Sequence, residues 1–209
     1  MLDIMGKRIL ANQSQILYDR PFSRESLNED WAVADGEWWI EDGWLTGRIY
    51  ENRGGFIYTK NNYAGDIMLD FYGRTVPPCN NDLNFTWHSQ GWDKCQNDAG
   101  IGYIAGLNGW WTGKTGIEKY PECKIQATTS IQKFEAGRSY HIQAGSVQGQ
   151  CFIFVDGRLA IELKDPSPID SVEYGKVGFG TYCSYIQVRD FKLFRPATED
   201  VSLEYTAHF

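Results

Sequence analysis

The chain has neither an apolar run long enough to cross a membrane nor a cysteine pattern typical of a metal site. No stretch approaches the roughly 20 apolar residues of a membrane span. The five cysteines are odd in number and widely spaced, and no Cys-x-x-Cys pair occurs, which argues against a zinc knuckle or redox motif. The first fifteen residues also lack the apolar segment of about 7–15 residues that a signal peptide contains. We therefore expect a cytoplasmic protein.

Basic residues are too few and too scattered for a nucleic-acid partner. The 20 Lys and Arg residues stand against 27 Asp and Glu residues, and the formal net charge is −7. No basic stripe offsets this balance. We expect neither nucleic acid nor membrane as a partner.

Helical periodicity is nearly absent as well. Almost no segment shows it over the 11–18 residues that the test requires, whereas 15% aromatic residues and 22 glycines favour strands and turns. Asp-Gly pairs at 35–36, 42–43 and 156–157 mark tight turns between short segments. The pattern predicts one all-β domain over 1–209, a two-sheet antiparallel β-sandwich or jelly roll with less than about a tenth of helix. Its core spans about 16–195, between an N-terminal lead-in and a C-terminal tail.

Four local features refine this expectation. Residues 107–125 read as a long glycine- and aromatic-rich connection, the kind of loop that is often functional. Arg189-Asp190 marks a bulge, because apolar residues on either side of it are out of phase. Three tryptophans near the Asp-Gly turns are expected to fill the core, namely Trp31, Trp38 and Trp44. Val201–Tyr205 alternates apolar and polar residues, so it should be extended and pair with an edge strand of this chain or of a second copy, which leaves a homodimer or a partner subunit open.

The segment Asn81–Gln90, followed by Gly102–Trp111, carries the main functional signal. Side chains on a strand alternate between its two faces. The apolar set is Leu83, Phe85 and Trp87. The polar set is Asp82, Asn84, Thr86 and His88. The next strand can bring Tyr103 beside the polar set, and two tryptophans follow. A polar strand face bordered by tryptophans suits a carbohydrate ligand, because hydroxyls need hydrogen-bonding groups and the C–H faces of sugar rings pack on flat apolar rings.

Two sets of motifs resemble a known family. Trp31…Asp35-Gly36…Trp38…Asp42-Gly43…Leu45…Gly47, followed by Thr59-Lys60 and a strand beginning at Asp66, resembles the opening of the concanavalin A-like family named for 3-keto-disaccharide hydrolases. Three later segments resemble the end of the same superfamily, namely Phe154-Val155-Asp156-Gly157, Gly175–Phe179 and Ile186…Phe191. The resemblance covers roughly residues 16–195. It implies a concanavalin A-like jelly roll whose concave sheet binds glycans, as in glucanases, lyases of 3-keto-glycosides and lectin-like modules.

The chain also departs from these relatives. It has Asn81-Asp82-Leu83-Asn84 where the family usually carries Asn-Ser-Gly. No Glu-x-Asp triplet occurs, which argues against retaining hydrolysis by the paired carboxylates of laminarinases. A structural calcium, as in some relatives, is one option, with oxygen ligands from Asp190 and Asp19, although the chain shows no contiguous acidic loop. No other cofactor is required.

Two functions remain open at this point. The first is an enzyme that cleaves a small glycoside or 3-keto-glycoside by hydrolysis or by elimination and hydration. His88 is then the general base, since the pKa of imidazole lies near neutral pH, with assistance from Asp82 and Tyr103 and with Glu118 and Lys119 as further acid or base groups. The second is a non-catalytic carbohydrate-binding module or accessory subunit. The remaining expected sugar contacts are Asn84, Asp70, Trp92, Asn108, Trp110 and Trp111.

Overall fold

The computed structural model describes residues 2–110, 113–121, 126–130 and 133–202, with Trp110 described by its backbone. Strands dominate this part of the chain. In chain order they are β1 (Leu2–Ile4), β2 (Lys7–Ile9), β3 (Gln15–Tyr18), β4 (Trp31–Val33), β5 (Glu37–Glu41), β6 (Trp44–Arg48), β7 (Gly54–Thr59), β8 (Ile67–Thr75), β9 (Leu83–Ser89), β10 (Gly102–Trp110), β11 (Lys114–Tyr120), β12 (Gln126–Thr129), β13 (Tyr140–Val147), β14 (Gln150–Val155), β15 (Arg158–Lys164), β16 (Lys176–Tyr182), β17 (Tyr185–Arg195) and β18 (Thr198–Asp200). A short 3-10 turn (Ala11–Gln13) and the helix α1 (Arg24–Asp30) complete the secondary structure of these ranges. Neither helical segment is long enough to span a membrane.

Two antiparallel sheets pack face to face, as the sequence predicts. The front sheet has the strand order β12-β11-β10-β9-β16-β7-β4. The back sheet has the order β15-β14-β13-β8-β17-β6-β5, and β3 pairs with β17. The core lies between them, where the ring of Phe71 from the back sheet meets Phe85 at 5.4 Å and Phe179 at 5.1 Å from the front sheet. The molecule is therefore an all-β sandwich of the jelly-roll type.

The predicted Asp-Gly hairpins form at two places. Asp42 and Gly43 have φ values of 51° and 78° between β5 and β6, and Asp156 and Gly157 have values of 51° and 76° between β14 and β15. A tight hairpin turn needs φ above zero at both central residues, which Asp and Gly tolerate. These turns set the register of both hairpins at one edge each of the back sheet.

A third, small sheet lies on the outer face of the back sheet. Its order is β1-β2-β18, and it packs its buried residues Leu2, Ile4 and Ile9 on a set that includes Phe152 and Phe154. The strand β18 ends just before the predicted extended segment Val201–Tyr205, and the Val201 amide donates to the Gly6 carbonyl at 3.0 Å. The tail thus pairs with the lead-in of its own chain, while residues 203–209 lie outside the described part.

Two expectations about local structure are corrected, and a short helix is present that no sequence pattern predicted. The polar cluster after Phe22 contains α1, whose seven residues are shorter than the window that detects helical periodicity; Ser23 and Ser26 form a reciprocal cap at its start. The segment predicted as a long connection, 107–125, contains the end of β10 and the strand β11, because Gly109 and Gly116 lie within the sheet and Gly113 lies in the turn between the two strands. Trp44 lies on the outer face of the back sheet, between the guanidinium groups of Arg74 at 4.3 Å and Arg189 at 4.6 Å.

The predicted bulge near Arg189-Asp190 is confirmed. The pairing of β17 with β8 shifts register between Arg189 and Lys192, and Asp190 has a φ of 53°. The other two tryptophans behave as predicted, since Trp31 is buried in the core and Trp38 packs against it.

Candidate functional site

The outer face of the front sheet forms the floor of a cleft of about 340 Å³. Its polar lining residues are Asp82, Asn84, Asn97 and Glu118. Its aromatic lining residues are Phe56, Trp92, Tyr120 and Tyr182. These side chains come from β7, β9, β11 and β16 and from two loops, so the cleft exists only once the sheet is assembled. None of its described lining residues is Lys, Arg or His.

Glycines shape the floor of the cleft. One row across the sheet runs, by strand register, through Phe56, Gly180, Asn84, Gly106 and Gly116. A β-carbon at Gly180 would collide with the ring of Phe56, so this ring lies directly over the backbone of β16. Glycine in the interior of a strand often marks such a close approach. The row leaves Asn84 as a polar side chain among small and aromatic neighbours.

The loop 90–100 packs on this face and supplies one wall. The indole of Trp92 stacks on Phe56 with ring centroids 4.8 Å apart and an interplanar angle of 23°. The loop is held at its base, since the Gly54 amide donates to Asn97 Oδ1 at 3.3 Å and Lys94 pairs with the buried Asp35 at 3.3 Å. The buried Nε1 of Trp92 finds no hydrogen-bond acceptor in the described part of the chain.

Asp82 and Glu118 place two carboxyl groups in the cleft. Burial raises the pKa of Asp82 to about 7; a hydrogen bond with Asn84 opposes this shift, and the charge of Glu118 adds to it. Glu118 is also buried and accepts a hydrogen bond from Gln126 Nε2. Asn84 is only 6% exposed, and its Oδ1 has no donor among the described residues. A buried polar atom without a partner is costly, so a ligand that supplies a donor here is favoured.

His88 does not face the cleft, which corrects the main sequence-based assignment. The pairing of β9 with β16 places Thr86 opposite Gly178 and Ser89 opposite Lys176, so β9 has one residue more than its partner, and His88 has a φ of 47°. This bulge breaks the alternation of side chains. His88 Nε2 donates to the Gly65 carbonyl at 3.0 Å, and burial lowers its pKa, which the Gly65 hydrogen bond partly offsets.

Tyr103 and Lys119 also lie away from the cleft, on the core side of the front sheet. Tyr103 is only 1% exposed and donates to Asp165 Oδ2 at 2.6 Å. Lys119 Nζ pairs with the same atom at 2.8 Å. Because Lys119 follows Glu118 on β11, the two side chains point to opposite faces. The structure thus joins two predicted catalytic residues, but at a buried aspartate that the sequence analysis did not single out.

Four further predicted sugar contacts are placed elsewhere or not described. Asp70 lies on the outer face of the back sheet, where His141 and Gln143 bind its carboxylate at 2.6 and 2.7 Å. Asn108 donates to the Asn80 carbonyl and holds the approach to β9. The side chain of Trp110 and the whole of Trp111 lie outside the described residues. Of the expected sugar contacts, Asn84 and Trp92 line the cleft.

The expected calcium site finds no support. The carboxylate of Asp190 pairs with Arg189 at 3.4 Å, and that of Asp19 pairs with Lys192 at 3.0 Å. Throughout the described ranges, no group of three or more His, Cys, Asp or Glu side chains is arranged to hold a metal ion. Both aspartates therefore serve as partners of basic side chains.

Four polar or aromatic residues of the cleft were not predicted from the sequence, namely Phe56, Asn97, Tyr120 and Tyr182. The i, i+2 spacing of Glu118 and Tyr120 puts both on one strand face, a signal that becomes usable once 114–120 is recognised as a strand. Tyr182 lies on β16, which pairs with β9, and Phe56 lies on β7, the next strand beyond β16. No local pattern reveals this strand order.

Solved structures with this fold include several carbohydrate-binding domains. The carbohydrate-binding module CBM66 from Bacillus subtilis has a TM-score of 0.62 at 16% identity, covering 79% of this chain and 95% of that one. The exoplasmic/lumenal domain of VIP36, with Ca²⁺ and Man3GlcNAc bound, has 0.59 at 11% identity, covering 95% and 92%. The metal-free carbohydrate recognition domain of Emp46p has 0.58 at 11% identity, covering 94% and 100%. At these identities the likeness establishes a lectin-like jelly-roll fold.

Sequence comparison adds no narrower assignment. No protein-family model matches the chain, and no curated protein matches it in sequence. The resemblance to 3-keto-disaccharide hydrolases is confirmed at the level of the concanavalin A-like fold and not at the level of that family.

Proposed function

We propose that this protein binds a carbohydrate in the cleft on its front sheet. The observation that carries the proposal is the floor of the cleft, where the Oδ1 of Asn84, which has no donor among the described residues, lies with the carboxyl groups of Asp82 and Glu118. Sugar hydroxyls are the donors that these oxygens need. The stacked rings of Trp92 and Phe56 offer an apolar wall for the C–H face of a sugar ring. The carbohydrate-binding relatives in fold support the same ligand class.

Calorimetry against a panel of oligosaccharides tests this proposal. Asn84→Ala and Asp82→Asn should each weaken binding about tenfold or more, since loss of a hydrogen bond to a buried group costs about 1–3 kcal/mol. Asp70→Asn is the matched control, because it changes the same functional group on the outer face of the back sheet and should leave the affinity unchanged. Binding that survives both cleft substitutions would place the site elsewhere.

Cleavage of a glycosidic bond is a second candidate function for the same cleft. A carboxyl group whose pKa is raised to about 7, beside a second carboxyl group, matches the unequal acid–base pair that glycoside hydrolysis uses. Asp82 would protonate the glycosidic oxygen as the bond to the leaving sugar breaks. Glu118 would take a proton from the water that attacks the anomeric carbon, or, on a 3-keto-glycoside, the proton next to the ketone.

A turnover assay on glycosides and their 3-keto derivatives separates cleavage from binding alone. Glu118→Gln should reduce the rate about 10²–10⁴-fold while sugar binding persists, which is the range for loss of a general base. His88→Ala should leave the rate unchanged, because its ring binds the Gly65 carbonyl away from the cleft. If the glycosides bind but are not cleaved, the protein functions in binding alone. A rate that depends on His88 would contradict the assignment of Asp82 and Glu118 as the acid–base pair.

A further inference from the structure

The hydrogen-bonding groups on the floor of the cleft are nearly all acceptors. Asp82 and Glu118 contribute carboxyl oxygens, and the amide hydrogens of Asn84 are directed to Asp82, which leaves its Oδ1 as an acceptor. The described lining includes no cationic side chain that could neutralise the carboxylates. A ligand must therefore bring donors, and a positive charge on it would be favoured.

The walls of the cleft suit the same kind of ligand. Four aromatic rings line it, and two of them, Trp92 and Phe56, are stacked against one another. A cation near the face of an aromatic ring gains about 0.5–2 kcal/mol, more when it is desolvated. An acidic sugar would meet two buried carboxyl groups and, among the described lining residues, no compensating cation, which is unfavourable. A neutral sugar satisfies the hydrogen bonds but leaves the charges unopposed.

We propose that the preferred ligand is an amino sugar whose amine is free and protonated, with its ammonium group between Asp82, Glu118 and Asn84 Oδ1. An ammonium carries three donors and one positive charge, which matches the three acceptor groups on the floor. The proposal rests on the proposed carbohydrate function and narrows it to a cationic sugar. Asn84 is only 6% exposed, and its Oδ1 has no donor among the described residues. This buried acceptor points to a ligand independently of the two acidic residues.

The experiment compares oligosaccharides of different charge, two of which, the free and the N-acetylated glucosamine oligomers, share one backbone. The probes are glucosamine oligomers, the same oligomers N-acetylated, and galacturonate oligomers, measured by calorimetry at about pH 6, below the pKa of an amine. The free amine should bind at least tenfold more tightly than the acetylated form, and added salt should weaken it. Since the pKa of Asp82 is about 7, binding of the ammonium should also release up to about one proton, measured as a dependence of the enthalpy on the buffer.

Two carboxyl-to-amide substitutions provide the matched comparison. Glu118→Gln should bring the ratio of amine to acetylated affinity close to one, whereas Glu41→Gln, at an exposed position of the back sheet, removes the same charge and should preserve the ratio. Circular dichroism and thermal melting establish that each variant is folded. Asp82→Asn should in addition abolish the proton release.

The remaining outcomes separate failure of this inference from failure of the proposed function. If the amine and acetylated oligomers bind with equal affinity, and Asn84→Ala weakens both, the inference is overturned but the carbohydrate site is kept. Tighter binding of galacturonate would overturn it as well. No binding of any oligomer would overturn both, and heat from calcium chloride alone, lost in Asp82→Asn, would reassign the cleft to a metal ion.

Discussion

Asp82 occupies an unusual environment for a carboxyl group. It lies directly before β9 and has a φ of 68°. It is buried beside Gly109, where a β-carbon would collide with its carboxylate. A glycine at position 109 thus provides the space that the carboxyl group fills. Asp82 thus has a strained backbone and a buried carboxyl group, and no cation is present among the described lining residues of the cleft. Such combinations are characteristic of functional positions.

The raised pKa of Asp82 predicts a specific dependence of stability on pH. The pKa is about 7 in the folded protein against an ordinary value of 3.8, so the folded state holds the proton more tightly than the unfolded state. The stability that this tighter proton binding adds to the folded state is fully present below about pH 4 and is lost as the pH rises to about 7. It amounts to at most roughly 4 kcal/mol, since each pKa unit corresponds to about 1.4 kcal/mol.

Urea unfolding of the wild type and of Asp82→Asn between pH 4 and 8 checks this expectation. The variant should gain stability relative to the wild type as the pH rises, and the difference should become constant above about pH 7. Glu41→Gln, at an exposed position of the back sheet, serves as control. Parallel pH profiles for the wild type and Asp82→Asn would contradict the burial of an uncompensated carboxyl group.

At the scale of elements, β9 determines which side chains reach the cleft. Alternation along this strand holds from Leu83 to Trp87, and the bulge then turns His88 away from the outer face. The bulge depends on how β9 pairs with β16, a strand almost ninety residues later in the chain. The alternating pattern therefore predicted the orientation of Asn84 correctly and that of His88 wrongly. Alternation can be read from one strand alone, whereas a bulge arises from the pairing of two strands.

The same distinction explains which elements the sequence could reveal. The turns at Asp42-Gly43 and Asp156-Gly157 were predicted correctly, because Asp and Gly mark a tight turn locally. The strand β11 was missed because Gly116 and the nearby tryptophans resemble a loop, and only pairing with β10 makes them a strand. The cleft was found in part, through Asp82, Asn84, Glu118 and Trp92, while its aromatic residues on β7 and β16 require the sheet order.

The strand β18 predicts a measurable effect of truncation. It pairs with β2 and adds the ion pairs Lys7–Asp200 at 2.6 Å and Arg8–Glu199 at 3.2 Å. These pairs are partly exposed and contribute at most about 1 kcal/mol each, but removal of β18 also exposes an edge of the small sheet. Truncation after Ala197 should therefore lower the melting temperature by several degrees.

Truncation after Ser202 is the reference, because it keeps β18, and the melting temperature after truncation at Ala197 should lie several degrees below it. Light scattering on both variants detects association through the newly exposed edge. If truncation after Ala197 changes neither the melting temperature nor the mass, the small sheet does not stabilise the fold.

At the scale of the whole molecule, a buried ion pair joins the two sheets. Asp165 follows β15 of the back sheet and is fully buried, while Lys119 and Tyr103 reach it from the front sheet. Burial alone would raise the pKa of Asp165, but hydrogen bonds from Lys119, Tyr103 and the Ser167 amide together lower it. These contacts close one end of the sandwich with polar groups that satisfy one another.

Lys119→Met should destabilise the fold by about 3 kcal/mol, the lower end for breaking a buried pair, because Tyr103 still donates to Asp165. The folded pKa of Asp165 lies below 3.8, so its charge stabilises the protein above that value, and the contribution is lost as the pH falls through the folded pKa. The difference between variant and wild type should thus be largest near neutral pH and shrink in acid. Urea unfolding measures it.

Lys192→Met is the matched control. It removes the exposed pair with Asp19, whose side chains are 43% and 42% accessible, and should cost less than about 1 kcal/mol. Equal effects of the two substitutions would show that the Asp165 pair is no more important than a surface contact.

The small sheet and the cleft lie on opposite outer faces of the sandwich. Stacked sheets are about 10 Å apart, so the thickness of both sheets separates the start of β1 from the cleft. A tag or sensor surface coupled ahead of Leu2 will therefore orient the molecule with its cleft toward the solution. If the cleft binds carbohydrate as proposed, large glycans should approach an immobilised protein as freely as small ones, without a spacer.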